Sequence, residues 1–459
     1  MYQIDFEQPI HIYFMGIGGI SMSGLAEILH ERNFTVSGSD SKSSPLTTML
    51  EAKGIKIFYG QKAANITPDI DCIVYTSAIR DDNPELVAAK DLNIPLLSRA
   101  ELLGQIMKNY QIPIAISGTH GKTTTTSMVS EILLNADTDP TLSIGGILKT
   151  IGGNIRIGKS PYFVTEACEY TNSFLSFFPK VSLILNIEED HLDFFKDIND
   201  IRNSFKEFAK LLPEDGTLII NGDIEQFEEI TNGLSCKVIT YGSSPLCDYS
   251  PENISFDEMG RGVFTAKCPY DESLDLHLGV TGLHNIYNAL ASLALSDCLG
   301  LSRSLCAEAL KAFTGTDRRF EYKGTVGGVT VIDDYAHHPT EIAATMQAAA
   351  NYPHQKLWCV FQPHTYTRTK AFLSEFAQAL SSADHIVLAD IYAARETDTL
   401  GISSKDLLNE LQKSGNACDY FPTFDEIENF LLENCNPGDM LITMGAGDVH
   451  KIGENLLGK

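Results

Sequence analysis

A short glycine loop between an apolar strand and a helix places the strongest limit on the fold of this chain. The strand IPIAISG covers residues 112–118 and runs into the loop GTHG at 118–121, and a helix start rich in Thr and Ser follows the loop. This order is typical of an α/β unit, in which the first N–H groups of the helix can bind phosphate. The usual pattern is G-x-x-x-x-G-K-[ST], but Ile116 takes the first glycine position and Gly118 lies three residues before Gly121. The loop is therefore a damaged form of that pattern, a chance match or a shorter variant.

Strands and helices alternate along the rest of the chain, which predicts an α/β protein. We predict strands within residues 10–17, 34–40, 72–79, 112–118, 162–168, 181–187, 329–336, 356–366, 385–392 and 439–448. The glycine- and charge-rich stretch FTGTDRRFEYKG at 313–324 is typical of a boundary. A chain of 459 residues is too long for one core. We predict three α/β domains: a Rossmann-like domain at 1–108, a central domain with the phosphate loop at 109–317, and a C-terminal Rossmann-like domain at 318–459.

Composition narrows the class of protein. A net charge of −26 argues against nucleic acid as a partner, because that polyanion binds basic surfaces. Ten cysteines without a C-x-x-C pair favour a reducing compartment over a disulfide framework or zinc site. The apolar stretches are of strand length, and MYQIDFEQPIHIYF at the start lacks the basic region of a signal peptide. We therefore expect a cytoplasmic protein without a membrane partner, present as a monomer or weak homodimer.

A second glycine loop follows the first strand. Gly16, Gly18 and Gly19 precede a helix that contains Ser21 and Ser23, and Asp40 ends the next strand. Glycines at this point let the backbone approach a diphosphate, and the acidic residue can accept from ribose hydroxyls. The pattern alone does not identify the nucleotide, and a tight turn without a ligand is the alternative.

Polar residues near the phosphate loop suggest the rest of a nucleotide site. Lys122 can bind β- and γ-phosphate oxygens, and the Thr123 hydroxyl can bind Mg²⁺. Glu166 ends a later strand and His191 follows the next one, so both are candidate metal ligands, although a single histidine is usually structural. Asn285 and Asn288 lie on one helical face and can contact adenine, and the pair Arg318-Arg319 can contact phosphate. The alternatives are that the two asparagines are surface or helix-capping residues and that the two arginines form an ion pair between domains.

Together these motifs resemble the Mur ligases of peptidoglycan synthesis. GTHGKTT, EACE, NIEEDH, HN..NA, DRRF and DDYAHHPTE occur in the family's order over nearly the whole chain. The motifs are most similar to the branch that adds L-alanine. Members carry the short G-T-x-G-K-T-T loop, so the resemblance identifies the loop as a family variant.

The resemblance implies an ATP-dependent, amide-forming ligase. ATP would phosphorylate the lactyl carboxylate of UDP-N-acetylmuramate, and the amine of L-alanine would displace phosphate from the acyl phosphate. A carboxylate is a poor electrophile, so it needs this activation, and charge on the transferring phosphoryl group needs neutralising.

The resemblance also implies a role for each matching residue. ATP would be held by Gly118, Thr119, His120, Gly121, Lys122, Thr123, Thr124, His284, Asn285, Asn288, Arg318 and Arg319, and Mg²⁺ by Thr123, Glu166 and His191. The UDP-sugar would contact Gly16, Gly18, Gly19, Ser21, Ser23, Asp40, Ser77 and Arg99. The amino acid would contact Asp334, Tyr335, His337, His338, His364 and Arg368. Catalysis would depend on Lys122, Glu166, His191 and Arg319.

Two positions depart from the wider family pattern. Several relatives carry a carbamylated lysine about fifteen residues after the metal histidine, where Phe205 or Lys206 falls here, and we align Phe205. Thr365 stands where some alanine ligases have arginine, which leaves Arg368 as the expected carboxylate partner.

Four rival functions remain. A ligase that adds a preformed tripeptide to the same UDP-sugar would differ only in the third domain. A folate polyglutamate ligase would not need the first domain, and an NAD-dependent dehydrogenase would not explain the lysine loop. A non-catalytic nucleotide sensor would not need three glycine-rich domains.

Overall fold

Four β-sheets organise the chain. The computed structural model describes residues 2–76, 78–394 and 396–459, and over these residues the sheets follow one another along the sequence. Three of them carry helices and belong to the three predicted α/β units, so the predicted fold class is confirmed. The boundaries near 108 and 317 stay predictions.

The first sheet is parallel throughout, with strand order β3-β2-β1-β4-β5. This is the order of the doubly wound dinucleotide fold, in which the strand order reverses between β1 and β4 and leaves a crevice at the strand ends. Its strands are β1 (His11–Met15), β2 (Thr35–Asp40), β3 (Lys56–Tyr59), β4 (Cys72–Tyr75) and β5 (Leu96–Ser98). Its helices are α1 (Ile20–Glu31), α2 (Pro45–Ala52), α3 (Pro84–Asp91) and α4 (Arg99–Met107).

The second sheet has the order β12-β11-β10-β6-β9-β7-β8 and is parallel except for the β7–β8 hairpin at its edge. Its central strand β6 is almost wholly buried, as an apolar run in a parallel sheet requires. The strands are β6 (Ile112–Ser117), β7 (Thr141–Leu148), β8 (Gly153–Arg156), β9 (Tyr162–Ala167), β10 (Val181–Ile184), β11 (Thr217–Asn221) and β12 (Lys237–Tyr241). The helices are α5 (Lys122–Asn135), α6 (Ile198–Ala209), α7 (Phe227–Thr231), α8 (Leu283–Cys298) and α9 (Arg303–Ala312).

An antiparallel sheet interrupts the alternation that the sequence predicted. It contains β13 (Ser250–Phe256), β14 (Arg261–Cys268) and β15 (Glu272–Thr281) in sequence order. Strict alternation of strand and helix was therefore wrong for this stretch. The signal was present in RGVFTAKC, whose residues alternate between partly exposed and buried along β14.

The last sheet has the order β16-β17-β21-β18-β19-β20, and only the pair β16–β17 is antiparallel. Its strands are β16 (Glu321–Val326), β17 (Val329–Asp334), β18 (Leu357–Phe361), β19 (His385–Leu388), β20 (Cys418–Tyr420) and β21 (Met440–Met444). Its helices are α10 (Pro339–Ala350), α11 (Tyr366–Ala371), α12 (Leu373–Leu380), α13 (Ser404–Lys413), α14 (Phe424–Asn434) and α15 (His450–Leu456).

The hydrophobic cores do not correspond one to one with the three predicted domains. One cluster of buried side chains runs from Ile4 to Met107 of the first domain and continues through Tyr110, Phe163 and Phe208 of the central domain. The clusters of the third domain contain buried residues from 329 to 452 and no described residue of the other two domains. The first two domains therefore share a core, and the third has its own.

Helix length also bears on membrane association. Within the described part of the chain, no helix combines the length and apolar character that crossing a membrane requires.

Candidate active site

The phosphate loop is held against the start of the segment 185–191. The backbone N–H of His120 donates to Asn186 Oδ1 at 2.7 Å, and Asn186 Nδ2 donates back to the His120 carbonyl at 3.1 Å. Gly118 has φ +149°, and a Cβ there would lie 2.9 Å from Leu185 Cβ. Gly121, with φ +81°, caps α5. Both glycines are needed because a side chain at either position would be strained.

Lys122, the first residue of α5, turns back into the loop. Its ammonium donates to the carbonyls of Gly118 and Thr119, and it lies 3.1 Å from Glu169 Oε2. The Glu169 side chain is 3% exposed. Burial disfavours the ammonium, but the Glu169 carboxylate outweighs it and raises the pKa of Lys122. Lys122 is therefore a fixed cation at the mouth of the loop.

A cavity of about 260 Å³ opens beside the loop, between the central and third domains. Its wall includes predicted ATP-binding residues from both domains: His120, Gly121, Thr123, Thr124, His284, Asn285, Asn288 and Arg319. Asn285 Nδ2 donates to the Thr281 carbonyl, and Asn288 Nδ2 donates to Asn285 Oδ1 at 2.9 Å. Burial lowers the pKa of His284 to about 4, so its imidazole is neutral at pH 7. The structure thus brings eight of the twelve predicted ATP residues around one cavity.

The two adjacent arginines have different surroundings. Arg318 donates to Asp333 Oδ2 at 2.9 Å and to the Gly445 carbonyl at 2.7 Å, so it is an ion-pair partner within the third domain. Arg319 lines the cavity, with its guanidinium 5.1 Å from the centre of the Tyr335 ring. Among the described residues its guanidinium has no hydrogen-bond acceptor. Arg319 is therefore the arginine that is available to a ligand.

The three predicted metal ligands surround Lys122. Thr123 follows it on α5, and Glu166 Oε1 accepts from the N–H of Gly145, whose neighbour Gly146 packs on Thr123. His191 Nε2 lies 3.9 Å from Glu169 Oε1, and the ring stacks on Tyr170 at 4.4 Å. Burial lowers the pKa of His191, which keeps the imidazole neutral. A hydroxyl, a carboxylate and a neutral imidazole beside a phosphate loop fit a divalent cation.

A larger cleft of about 1550 Å³ lies between all three domains. Gly19, Ser21 and Arg99 of the first domain line it, together with His191 of the central domain. Ser98 caps α4 and so places Arg99 at the helix start. The Arg99 guanidinium makes no hydrogen bond or ion pair with a described residue, and burial lowers its pKa. The cleft thus holds an available cation close to the first glycine loop.

The rest of the first glycine loop is held by the protein itself. Gly18 N donates to Asp40 Oδ2 at 2.8 Å, and Gly16 N donates to the Ser39 carbonyl. Ser23 is buried and donates to the Ile20 carbonyl. Ser77 lies outside the described residues. The contacts of Asp40 and Ser23 are internal, and their roles toward a ligand stay predictions.

The six residues predicted for the amino acid divide between two places. His364 and Arg368 line the larger cleft, and His337 lies beside them with its ring 5.5 Å from that of His364. Asp334 lines the smaller cavity instead, where its carboxylate accepts from the N–H groups of Phe320 and Ala336. Tyr335 stacks under the two arginines, and His338 Nε2 contacts the Glu189 carbonyl. Only part of this set therefore faces the larger cleft.

Arg368 joins the third domain to the central one. Its Nη2 lies 2.7 Å from Asp190 Oδ1, and its Nη1 lies 3.1 Å from His364 Nδ1. Burial alone would raise the pKa of Asp190, but the Arg368 guanidinium outweighs it and holds that pKa well below its usual range. The predicted carboxylate-binding arginine therefore already holds a protein carboxylate.

Four residues of this region were missed from the sequence. They are Glu169, Asn186, Glu188 and Asp190. Glu169 is the second acid of EACE, and the others belong to the run NIEED before His191, so both motifs carried a signal. Of the two alignment candidates, Phe205 packs in the core with its ring 5.3 Å from Phe174.

Comparison with known proteins places these features in a family. Family models match successive segments: "Mur ligase family, catalytic domain" at 11–111, "Mur ligase middle domain" at 116–296 and "Mur ligase, glutamate ligase domain" at 318–447. A UDP-N-acetylmuramate–L-alanine ligase of Agathobacter rectalis is 62% identical over the full length of both chains.

Solved structures agree with the sequence matches. A UDP-N-acetylmuramate–alanine ligase of Thermotoga maritima superposes with a TM-score of 0.81 at 29% identity, over 98% of each chain. A murein peptide ligase of Psychrobacter arcticus gives a TM-score of 0.71 at 26% identity, again over 98% of each chain. The chain belongs to the Mur ligase family.

Proposed function

We propose that the protein joins L-alanine to the lactyl carboxylate of UDP-N-acetylmuramate at the expense of ATP, as a step of peptidoglycan precursor synthesis. The observation that carries this proposal is the 62% identity, over the full length of both chains, to a ligase of that name. The geometry supports it, because Gly121 and Thr123, on either side of Lys122, line the cavity at the phosphate loop, and His191 lines the cleft at the first glycine loop.

The smaller cavity would hold ATP. The amides of α8 would meet adenine, and the phosphates would reach the loop at Gly118–Thr124. Lys122 can exchange the carbonyls of Gly118 and Thr119 for phosphate oxygens while Glu169 keeps it in place. Arg319 would neutralise charge on the transferring phosphoryl group, since its guanidinium has no other acceptor among the described residues.

Mg²⁺ would be held by Thr123, Glu166 and His191, and would supply further charge neutralisation at the phosphates. The protein's own part is to hold these donors near Lys122. Asp190 and Glu169 lie 3.7 and 3.9 Å from His191 Nε2, beyond hydrogen-bond distance, and the ring stacks on Tyr170.

The larger cleft would hold the UDP-sugar and the amino acid. The diphosphate would lie at Gly16–Ser23, with Arg99 as a nearby cation. Phosphorylation turns the lactyl carboxylate into an acyl phosphate, the alanine amine attacks its carbonyl carbon, and inorganic phosphate leaves. Arg368 would contact the alanine carboxylate with donors that Asp190 does not occupy, or after leaving Asp190.

Phosphate release in the presence of ATP, Mg²⁺, UDP-N-acetylmuramate and one amino acid at a time tests the proposal. We expect release with L-alanine and a product heavier by one alanine residue. Efficient use of the tripeptide L-alanyl-γ-D-glutamyl-meso-diaminopimelate in place of alanine would contradict it and favour the recycling ligase. Tight NAD binding without UDP-sugar binding would favour the dehydrogenase. A cytoplasmic location and a monomeric or weakly dimeric state remain part of the proposal.

A further inference from the structure

Three side chains at the boundary between the central and third domains form a compact group of metal-binding type. His120 belongs to the phosphate loop, Glu188 lies in the segment after β10, and His338 directly precedes α10. One potential ligand atom of each lies within 4.8 Å of the other two. Among the described residues, no other group of three or more histidine, cysteine, aspartate or glutamate side chains meets this limit. None of the three belongs to the proposed Mg²⁺ set.

Hydrogen bonds orient both imidazoles toward the group. His120 Nδ1 lies 3.2 Å from Glu341 Oε1, and His338 Nε2 lies 3.0 Å from the Glu189 carbonyl oxygen. Each of these nitrogens faces an oxygen acceptor and therefore carries a proton. Metal-binding histidines are usually held in this way, by a carboxylate or carbonyl on the far nitrogen. His120 Nε2 and His338 Nδ1 are therefore the nitrogens left to bind a metal ion, although His338 Nδ1 accepts a long contact of 3.4 Å from Thr340 N.

The nitrogen of His120 that faces the group is buried without a hydrogen bond. Its Nε2 has no hydrogen-bond partner among the described residues, and it lies 3.5 Å from Glu188 Oε2. A buried polar atom without a partner is costly, and a bound ion would supply the partner that it lacks. Glu188 Oε2 accepts from Thr340 Oγ1 at 2.6 Å, which holds the carboxylate in position.

Binding of a metal ion at His120 would release a proton. Burial alone would lower the pKa of His120, but the carboxylates of Glu188 and Glu341 outweigh it and raise the pKa to about 9. A metal ion binds the neutral imidazole, so it would take the place of the proton on Nε2.

We propose that His120, Glu188 and His338 bind a Zn²⁺ ion that joins the phosphate loop to the third domain. Two imidazoles and one carboxylate are ligands that Zn²⁺ takes, with an open position for water. Around a tetrahedral ion with bonds of about 2.0–2.1 Å, ligand atoms lie about 3.4 Å apart. Contraction from at most 4.8 Å needs side-chain movements of about an ångström. The long 3.4 Å contact from Thr340 N to His338 Nδ1 would be given up.

Binding of Zn²⁺ to the chelator-treated, full-length protein tests the site. Titration with Zn²⁺ in millimolar Mg²⁺ is expected to show one tight site per chain. Glu188→Gln and His338→Ala should each weaken it at least a hundredfold. His354→Ala is the matched control, because this histidine lies outside the group and bonds to the Tyr352 carbonyl. His191→Asn should also keep the Zn²⁺ site, since it alters a proposed Mg²⁺ ligand. Circular dichroism checks that each variant is folded.

Substitution with Co²⁺ identifies the ligand type. Binding through nitrogen and oxygen gives visible bands without a thiolate charge-transfer band in the near ultraviolet, which is the expected spectrum. A thiolate band would assign the ion to one of the ten cysteines and overturn the proposal. Unchanged Zn²⁺ affinity in both Glu188→Gln and His338→Ala would overturn it as well. Because Glu188→Gln is nearly isosteric, its result stands even if His338→Ala fails to fold.

The link between domains has its own readout. Zn²⁺ bound between them should raise the melting temperature of the wild type, and at the same Zn²⁺ concentration it should raise that of Glu188→Gln by less. An equal rise in both proteins would show that the ion binds elsewhere.

Discussion

Replacing Lys122 by methionine separates the catalytic role of this residue from its structural one. Lys122 and Glu169 form an ion pair whose side chains are 17% and 3% exposed. Methionine keeps most of the side-chain volume but leaves the Glu169 carboxylate without its cation. His191 Nε2, 3.9 Å away, is the nearest group that can replace part of that charge. We therefore expect the substitution to reduce both activity and stability.

The two losses have different magnitudes and causes. Removing one partner of a buried pair costs about 3–5 kcal/mol, because the other charge stays buried and unpaired. In addition, losing a cation that acts on a transferring phosphoryl group should lower kcat by about 10²–10³-fold, as for other preorganised electrostatic groups. The double variant Lys122→Met with Glu169→Gln removes the unpaired charge. It should recover most of the stability and none of the activity.

Urea unfolding followed by circular dichroism gives the stability, and phosphate release gives the activity. The matched control is Lys210→Met, which removes an exposed partner of Glu207; both side chains of that pair are about half exposed. A surface pair of this kind contributes about 0–1 kcal/mol, so the control should unfold like the wild type. Two outcomes would refute the reasoning. One is wild-type stability of Lys122→Met, and the other is near-normal turnover in the double variant.

Three further predictions concern the loop, the third domain and pH. Gly118→Ala should raise the KM for ATP and lower stability, since its Cβ would meet Leu185 Cβ at 2.9 Å. The control is Gly54→Ala, because Gly54 has φ +93° but a Cβ there would meet nothing within 4 Å, so this variant measures the backbone strain alone. Equal losses of stability in the two variants would contradict the clash. Arg368→Ala should raise the KM for alanine and leave ATP binding near normal, because Arg368 lines the larger cleft. Titration of each substrate in turn measures both effects. A loss of ATP affinity alone would contradict the prediction. Burial raises the pKa of Asp334 to about 6, above the 3.8 of an unfolded chain. Its contribution to stability is therefore complete below pH 3.8 and lost as the pH rises through about 6. The change in the free energy of unfolding across this pH range amounts to about 3 kcal/mol. Asp334→Asn should remove this pH dependence from the urea unfolding curves. The same pH dependence in Asp334→Asn and the wild type would contradict the prediction.

Much of the architecture could be predicted because long apolar runs of the sequence are buried strands. The runs at 10–17, 112–118 and 439–448 became β1, β6 and β21, each near the middle of its sheet. The antiparallel strands at 250–281 escaped notice, since their partly exposed, mixed composition gives a weak signal. Strand periodicity is recognisable when one face or both are buried, and less so at an edge.

The candidate site was predicted less completely than the fold. Motifs placed Thr123, Asn288 and Arg319 around one cavity, because loop and helix-start residues are fixed by local structure. Partners across domains could not be predicted: Arg368 with Asp190, or His120 with Glu341, depend on how the domains pack. The same holds for Asp334, which the motif DDYAHHPTE grouped with the histidines but which faces the other cavity.

The shared core of the first two domains has a mechanical consequence. A Cβ on Gly24 of α1 would lie 2.3 Å from Ile155 of the β8 hairpin, and one on Gly104 would lie 1.9 Å from the Ser176 carbonyl oxygen. We therefore expect these two domains to move as one body. The third domain shares no such core with that body and meets it through side-chain pairs such as Arg368–Asp190, which are 10% and 9% exposed and therefore screened little by salt. Any opening motion should therefore be a swing of the third domain alone, which breaks these pairs and exposes the amino-acid side of the cleft while the nucleotide-sugar side keeps its shape.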